Sequence, residues 1–133
     1  MGLQGIVSPL LDNLSFLKIL DLTYNKLHGH IPYKLGNVFW LKILYLCTNH
    51  LQDSILPTLG GFRSLIILSV FTNNLIGKIP ENLCVLPNLQ SIDLGEKKLM
   101  GTISACLGHI SSLGFIQLDS KNLRGVFLLN LEC

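Results

Sequence analysis

The chain has 133 residues, 49% hydrophobic and only 14% charged, enough for one continuous core and too apolar to remain disordered. Ten basic and eight acidic residues leave a scattered net charge of +2; no basic cluster interleaves with aromatics, which argues against a nucleic-acid partner. No apolar run reaches the ~18–20 residues of a membrane helix, and the N-terminus has no recognisable secretory signal, so neither a span nor a leader is expected in this chain.

In chain order, residues 3–14 (LQGIVSPLLDNL) read as the second half of a repeat whose full form follows immediately. Residues 15–38, SFLKILDLTYNKLHGHIPYKLGNV, set a 24-residue pattern. It returns without insertion or deletion at 39–62, 63–86 and 87–110, and at 111–133 one residue short. Six columns are apolar throughout. The third is Leu17, Leu41, Leu65, Leu89 and Leu113; the sixth is Leu20, Leu44, Leu68, Ile92 and Ile116. The eighth, thirteenth, seventeenth and twenty-first behave the same way, beginning at Leu22, Leu27, Ile31 and Leu35. Neither a heptad nor a strand alternation reproduces this spacing.

Each block is therefore expected to form one coil, with a short strand around the sixth and eighth columns. A single coil cannot bury its apolar columns, but stacked coils can, so the predicted core is continuous along a solenoid and the strands form one parallel sheet. Pro32 and Pro80 suit an extended return segment rather than a helix. The eleventh column holds Asn25, Asn49 and Asn73, whose carboxamides can satisfy backbone groups where the chain turns inward. Lys97 and Lys121 stand there in the last two blocks. Lysine offers no acceptor and its charge resists burial, so the two C-terminal coils are expected to be looser than the first three.

The spacing LxxLxxLxLxxNxLxGxIPxxLxxL, most explicit at 17–38 and 65–86, resembles the plant-specific class of leucine-rich repeats. That class builds the extracellular parts of receptor-like kinases and receptor-like proteins, and also polygalacturonase-inhibiting proteins. The resemblance covers essentially the whole chain. It implies an α/β-type repeat: a right-handed solenoid, a single domain over 1–133, with a concave parallel sheet, about five coils plus a half coil, and a second row of strands or turns around LxGxIP. It also implies a peptide or protein ligand, a co-receptor as a further partner, and an extracellular or plasma-membrane-associated address. Departures exist. Asp53 replaces the glycine of the fifteenth column, and Leu56, Ser104 and Leu128 replace the proline of IP. The terminal caps of the class are absent from the chain, so end-to-end self-association is expected of the uncovered coils.

Outward positions of the strands are where binding is expected. Tyr24, Tyr45 and Phe71 fall on adjacent coils, flanked by Asp21, Asp93, Glu96 and Asp119, a pattern of aromatic anchors with charged neighbours typical of recognition faces. A surface that merely tolerates those residues is the plainer alternative. Trp40, outside the inward columns, packs along the coil edge or makes a lateral contact. His28, His30 and His50 read as a solvated turn rather than a metal site. Asn13-Leu14-Ser15 is an N-glycosylation sequon that matters if the chain is secreted. Four cysteines show no CxxC or zinc spacing; buried hydrophobic roles are expected for most, with disulfides left open. No phosphate loop, HExxH, GxSxG or paired-carboxylate constellation is present, so no catalytic, metal or cofactor residue is assigned. A receptor-type recognition module is the leading expectation. A secreted inhibitor resembling the polygalacturonase-inhibiting proteins and a structural or degenerate remnant are the alternatives.

Overall fold

The computed structural model describes residues 2–55, 57–95, 101–102, 105–117 and 123–124. Eleven short strands are described: β1 (Gln4–Ile6), β2 (Ile19–Asp21), β3 (Lys26–Gly29), β4 (Ile43–Tyr45), β5 (His50–Ser54) and β6 (Ile67–Ser69). They continue with β7 (Asn74–Ile76), β8 (Ser91–Asp93), β9 (Gly101–Thr102), β10 (Phe115–Gln117) and β11 (Leu123–Arg124). The even-numbered strands pair in parallel, in the order β10-β8-β6-β4-β2, and make the concave sheet. Its register runs Leu20, Leu44, Leu68, Ile92, Ile116, so each residue lies against the one 24 positions on. A flanking sheet, β1-β3-β5-β7, and the β9–β11 pair form the second row.

The apolar columns turn inward. Leu41, Leu44, Leu46, Leu51, Leu59, Leu65, Leu68, Leu75, Leu83 and Leu89 have no exposed surface. One inward row lies outside the six columns: Val38, Phe62, Leu86 and Ile110, the last position of each block, are also buried. Burying such side chains supplies roughly 1.5–3 kcal/mol each, and only the stack makes it available.

The return segments are 3-10 turns: Pro9–Asn13, Tyr33–Asn37, Pro57–Gly61, Glu81–Val85 and Ala105–His109. No α-helix occurs among the described residues. Five residues are too few to repay helix nucleation. Pro32 and Pro80 are extended (ψ 131° and 136°) and lead into the turns at Tyr33 and Glu81. The turns pack tightly on one another. A Cβ added at Gly36 would lie 2.2 Å from the Thr58 carbonyl oxygen, and one at Gly60 would lie 2.8 Å from that of Asn82. At the next junction the same two places hold cysteines, joined as the Cys84–Cys106 disulfide.

The two walls of the coil are out of step. In the concave sheet equivalent residues pair, but in the flanking sheet Gln4 lies against Lys26, His28 against His50 and Gln52 against Asn74, each partner 22 positions on. A slip of two residues on one wall and none on the other rotates each coil on its neighbour. Adjacent strands also carry the ordinary twist of about 20–25°.

Candidate functional site

The candidate site begins with the asparagine ladder, which holds the ends of the concave strands. Asn49 is buried; its Nδ2 donates to the carbonyls of Leu22 (2.8 Å), Leu46 (3.2 Å) and Cys47 (3.3 Å), and its Oδ1 accepts from the Leu27 N–H (3.0 Å). Asn73 does the same one coil on, donating to Leu46, Val70 and Phe71 and accepting from Leu51. Asn25 donates to Leu22 and Thr23 and accepts from Leu3. Each carboxamide thus ties its own coil to the one before and to the amide of the flanking strand. Lys97 and Lys121 lie outside the described residues.

Just before each rung the backbone enters the left-handed region, at Tyr24 (φ 57°), Thr48 (φ 56°) and Thr72 (φ 55°). That region is costly for a side chain with a branched Cβ, and the ladder over-determines it. At Tyr24 this turn leaves the ring 77% exposed. The fifteenth column is left-handed as well: Gly5, Gly29 and Gly77 there have φ of 106°, 78° and 85°, and Asp53 takes φ 67° in their place. Aspartate is among the residues that tolerate this conformation best. The Asp53 carboxylate also pairs with the imidazole of His30, both side chains being largely exposed. His28, His30 and His50 are exposed groups on the flanking wall; no cluster able to hold a metal ion occurs among the described residues.

On the concave side an open groove of about 510 Å³ is lined by Asp21, Thr23, Tyr24, Tyr45, Cys47, Ser69 and Phe71. It therefore brings together Asp21, Tyr24, Tyr45 and Phe71 of the residues singled out from the sequence. Asp93 is at the end of β8, outside this lining. Glu96 and Asp119 lie outside the described residues. Thr23, Cys47 and Ser69 were not singled out, although they occupy outward columns. Ser69 and Cys47 are the buried members of this lining, and the Cys47 sulfur lies 3.3 Å from the Thr23 hydroxyl. Asp21 accepts from the Thr23 N–H (3.0 Å), and Asp93 accepts from the Gly95 N–H (3.2 Å), so two coils end their strands with the same turn. The Thr23 side chain and N–H hold the Asp21 carboxyl below the usual carboxylate range, and the site keeps that negative charge into mild acid.

Trp40 is exposed at the coil edge, and the guanidinium of Arg63 lies over the ring of Phe39, 5.4 Å from its centre. Asn13 is exposed at the end of the first 3-10 turn. Of the cysteines, Cys47 is buried and free, whereas Cys84 and Cys106 are paired.

These features define a leucine-rich-repeat solenoid, and residues 16–38 match the Leucine Rich Repeat family directly. It is a solenoid of the plant type. The fold is shared with the plant peptide hormone receptor RGFR1 in complex with RGF2, at 29% identity and a TM-score of 0.84 over 94% of this chain and 22% of that one. It is shared with the ectodomain of the receptor kinase SOBIR1 from Arabidopsis thaliana, at 26% identity and a TM-score of 0.82 over 90% of this chain and 65% of that one. The Arabidopsis receptor kinase HAESA, in complex with the peptide hormone IDA and the co-receptor SERK1, is 31% identical with a TM-score of 0.84, over 93% of this chain and 20% of that one. The chain thus spans between a fifth and two thirds of the length of these ectodomains. A search of curated proteins finds no match. No helix among the described residues is long and apolar enough to cross a membrane.

Proposed function

We propose that the concave face is a recognition surface for a peptide or protein ligand, as in a receptor ectodomain of defence or developmental signalling. The observation that carries this reading is the groove that assembles Tyr24, Tyr45 and Phe71 from adjacent coils beside Asp21. Rigid aromatic rings give contact area at small entropic cost, and a charged neighbour adds orientation. The receptor structures in complex with peptide hormones support it, one of them also holding a co-receptor.

An extracellular or membrane-associated address goes with this function. A disulfide between successive coils suits an oxidising compartment. There the exposed Asn13 would carry a glycan.

Panning the full chain against a random peptide library tests the assignment. Peptides enriched on it should lose about 30-fold in affinity with Tyr45→Ala or Phe71→Ala, as for a central aromatic anchor. Enriched peptides indifferent to both substitutions would overturn it.

A further inference from the structure

A second face lies on the wall where the chain returns from each 3-10 turn to the concave strand. Backbone bonds fix the register of this wall: the Lys42 N–H donates to the Lys18 carbonyl (2.7 Å), Ile66 to Lys42 (2.7 Å) and Gln90 to Ile66 (2.8 Å). The Asn88 amide donates to the Arg63 carbonyl, and the Ser112 hydroxyl to that of Leu89. Equivalent positions of successive coils therefore stack directly. Phe16 and Trp40 are such a pair, as are Phe39 and Arg63.

Three features set the wall apart. Its aromatic side chains face solvent, with Phe16 84%, Trp40 57% and Phe39 47% exposed, although nothing about the core requires rings there. The Arg63 guanidinium covers one of those rings, and Lys18 and Lys42 are exposed on the same stacked stretches. Carboxylates are missing: the segments 13–18, 37–42, 61–66, 85–90 and 109–114 contain no Asp or Glu, although the chain has eight such residues. The concave groove is different in kind, carrying Asp21 and no lysine or arginine.

We infer that this wall is a docking surface for a protein segment that is both acidic and apolar, separate from the ligand groove. Exposed Trp, Phe and Arg side by side are what a protein interface concentrates at its centre. A lone Arg over an aromatic ring presents its remaining N–H donors outward, in a fork that matches a carboxylate. An all-cationic rim selects an acidic partner and repels a basic one. The partner's apolar side chains would cover Phe16, Phe39 and Trp40, and its carboxylates would meet Lys18, Lys42 and Arg63.

Trp40 is the chain's single tryptophan, so its fluorescence reports on this wall and on no other place. The full chain, with Asn13→Gln to remove glycan, is titrated with a synthetic peptide that alternates Glu with Leu and Phe. The expected result is a blue shift of Trp40 emission with protection from acrylamide. The double variant Lys42→Glu/Arg63→Glu should weaken binding at least about tenfold, as for charge reversal at an interface. Tyr45→Ala should leave it unchanged, which separates this surface from the groove. Circular dichroism checks that the variants, altered at the exposed Asn13, Lys42 and Arg63 and the half-buried Tyr45, remain folded. Several results would overturn the inference: no shift, an equal shift with lysine in place of the glutamates, or a shift that survives charge reversal. So would a stronger response to phosphatidylserine vesicles than to the peptide, which would make the wall a lipid-binding face. A shift that grows with protein concentration alone would make it a contact between copies.

Discussion

Single residues decide how the coils are joined. Asn49 touches three carbonyls and one amide, but these are not equally dependent on it. The carbonyls of Leu22 and Leu46 each keep a second donor, from Asn25 and Asn73, whereas the Leu27 N–H is left without the Asn49 oxygen. Asn49→Ala should therefore cost about 1–3 kcal/mol, the cost of one orphaned buried donor, measured as a fall in denaturation midpoint with an unchanged slope. Asn49→Lys should cost more, because it adds a buried charge with no acceptor to offer. Asp21 is read by its titration. Its folded pKa is depressed, so the stability it contributes is present above its unfolded value of about 3.9 and is lost as pH falls through the folded value. Carboxyl resonances should place the Asp21 midpoint below that reference, and Thr23→Val should move it back upward. An Asp21 midpoint that ignores Thr23→Val would show that the Thr23 hydroxyl is not its cause.

The turns between strands show what a repeat pattern conveys and where it falls silent. Gly36 and Gly60 stand at places where the next coil's backbone is too close for a Cβ. Gly36→Ala should force two turns apart and destabilise the chain by about 1–3 kcal/mol, seen in thermal melts. Cys84 and Cys106 occupy the corresponding pair of places, so reducing them should cost about 2–4 kcal/mol, in line with a closed loop of this length. Cys84 and Cys106 are 22 positions apart, while the repeat counts 24. Their pairing becomes visible only when the slip between coils is known, and no column of a sequence contains it. Apolar columns were readable because inward burial demands the same residue class in every coil. The row beginning at Val38 was equally readable from its apolar residues and closes the repeat motif, yet lies outside the six columns. The 3-10 turns had no such signal. Of the groove, the rings on adjacent coils followed from column and period. The burial of Cys47 and Ser69 did not, since small side chains in outward columns are taken as exposed until their neighbours on adjacent coils are placed.

At the scale of the molecule, stability is shared between neighbours and is uneven along the axis. Leu44 and Leu20 occupy the same column, but Leu44 has coils on both sides and no exposed surface, while Leu20 is only partly buried. Leu44→Ala should cost about 2–5 kcal/mol and Leu20→Ala less than half as much in equilibrium unfolding. Equal losses would mean that Leu20 is as well covered in solution as Leu44.

The unequal step of the two walls, 24 residues on one and 22 on the other, has a consequence for anything that lies lengthwise on the stack. Successive coils are stepped like the treads of a spiral stair, and Tyr24, Tyr45 and Phe71 each stand on a different one. A straight, stiff visitor drifts off the treads as it lengthens, so added residues bring little added grip. A supple one can wind with the stair and keep its footing, and suppleness rather than reach is then what this surface rewards.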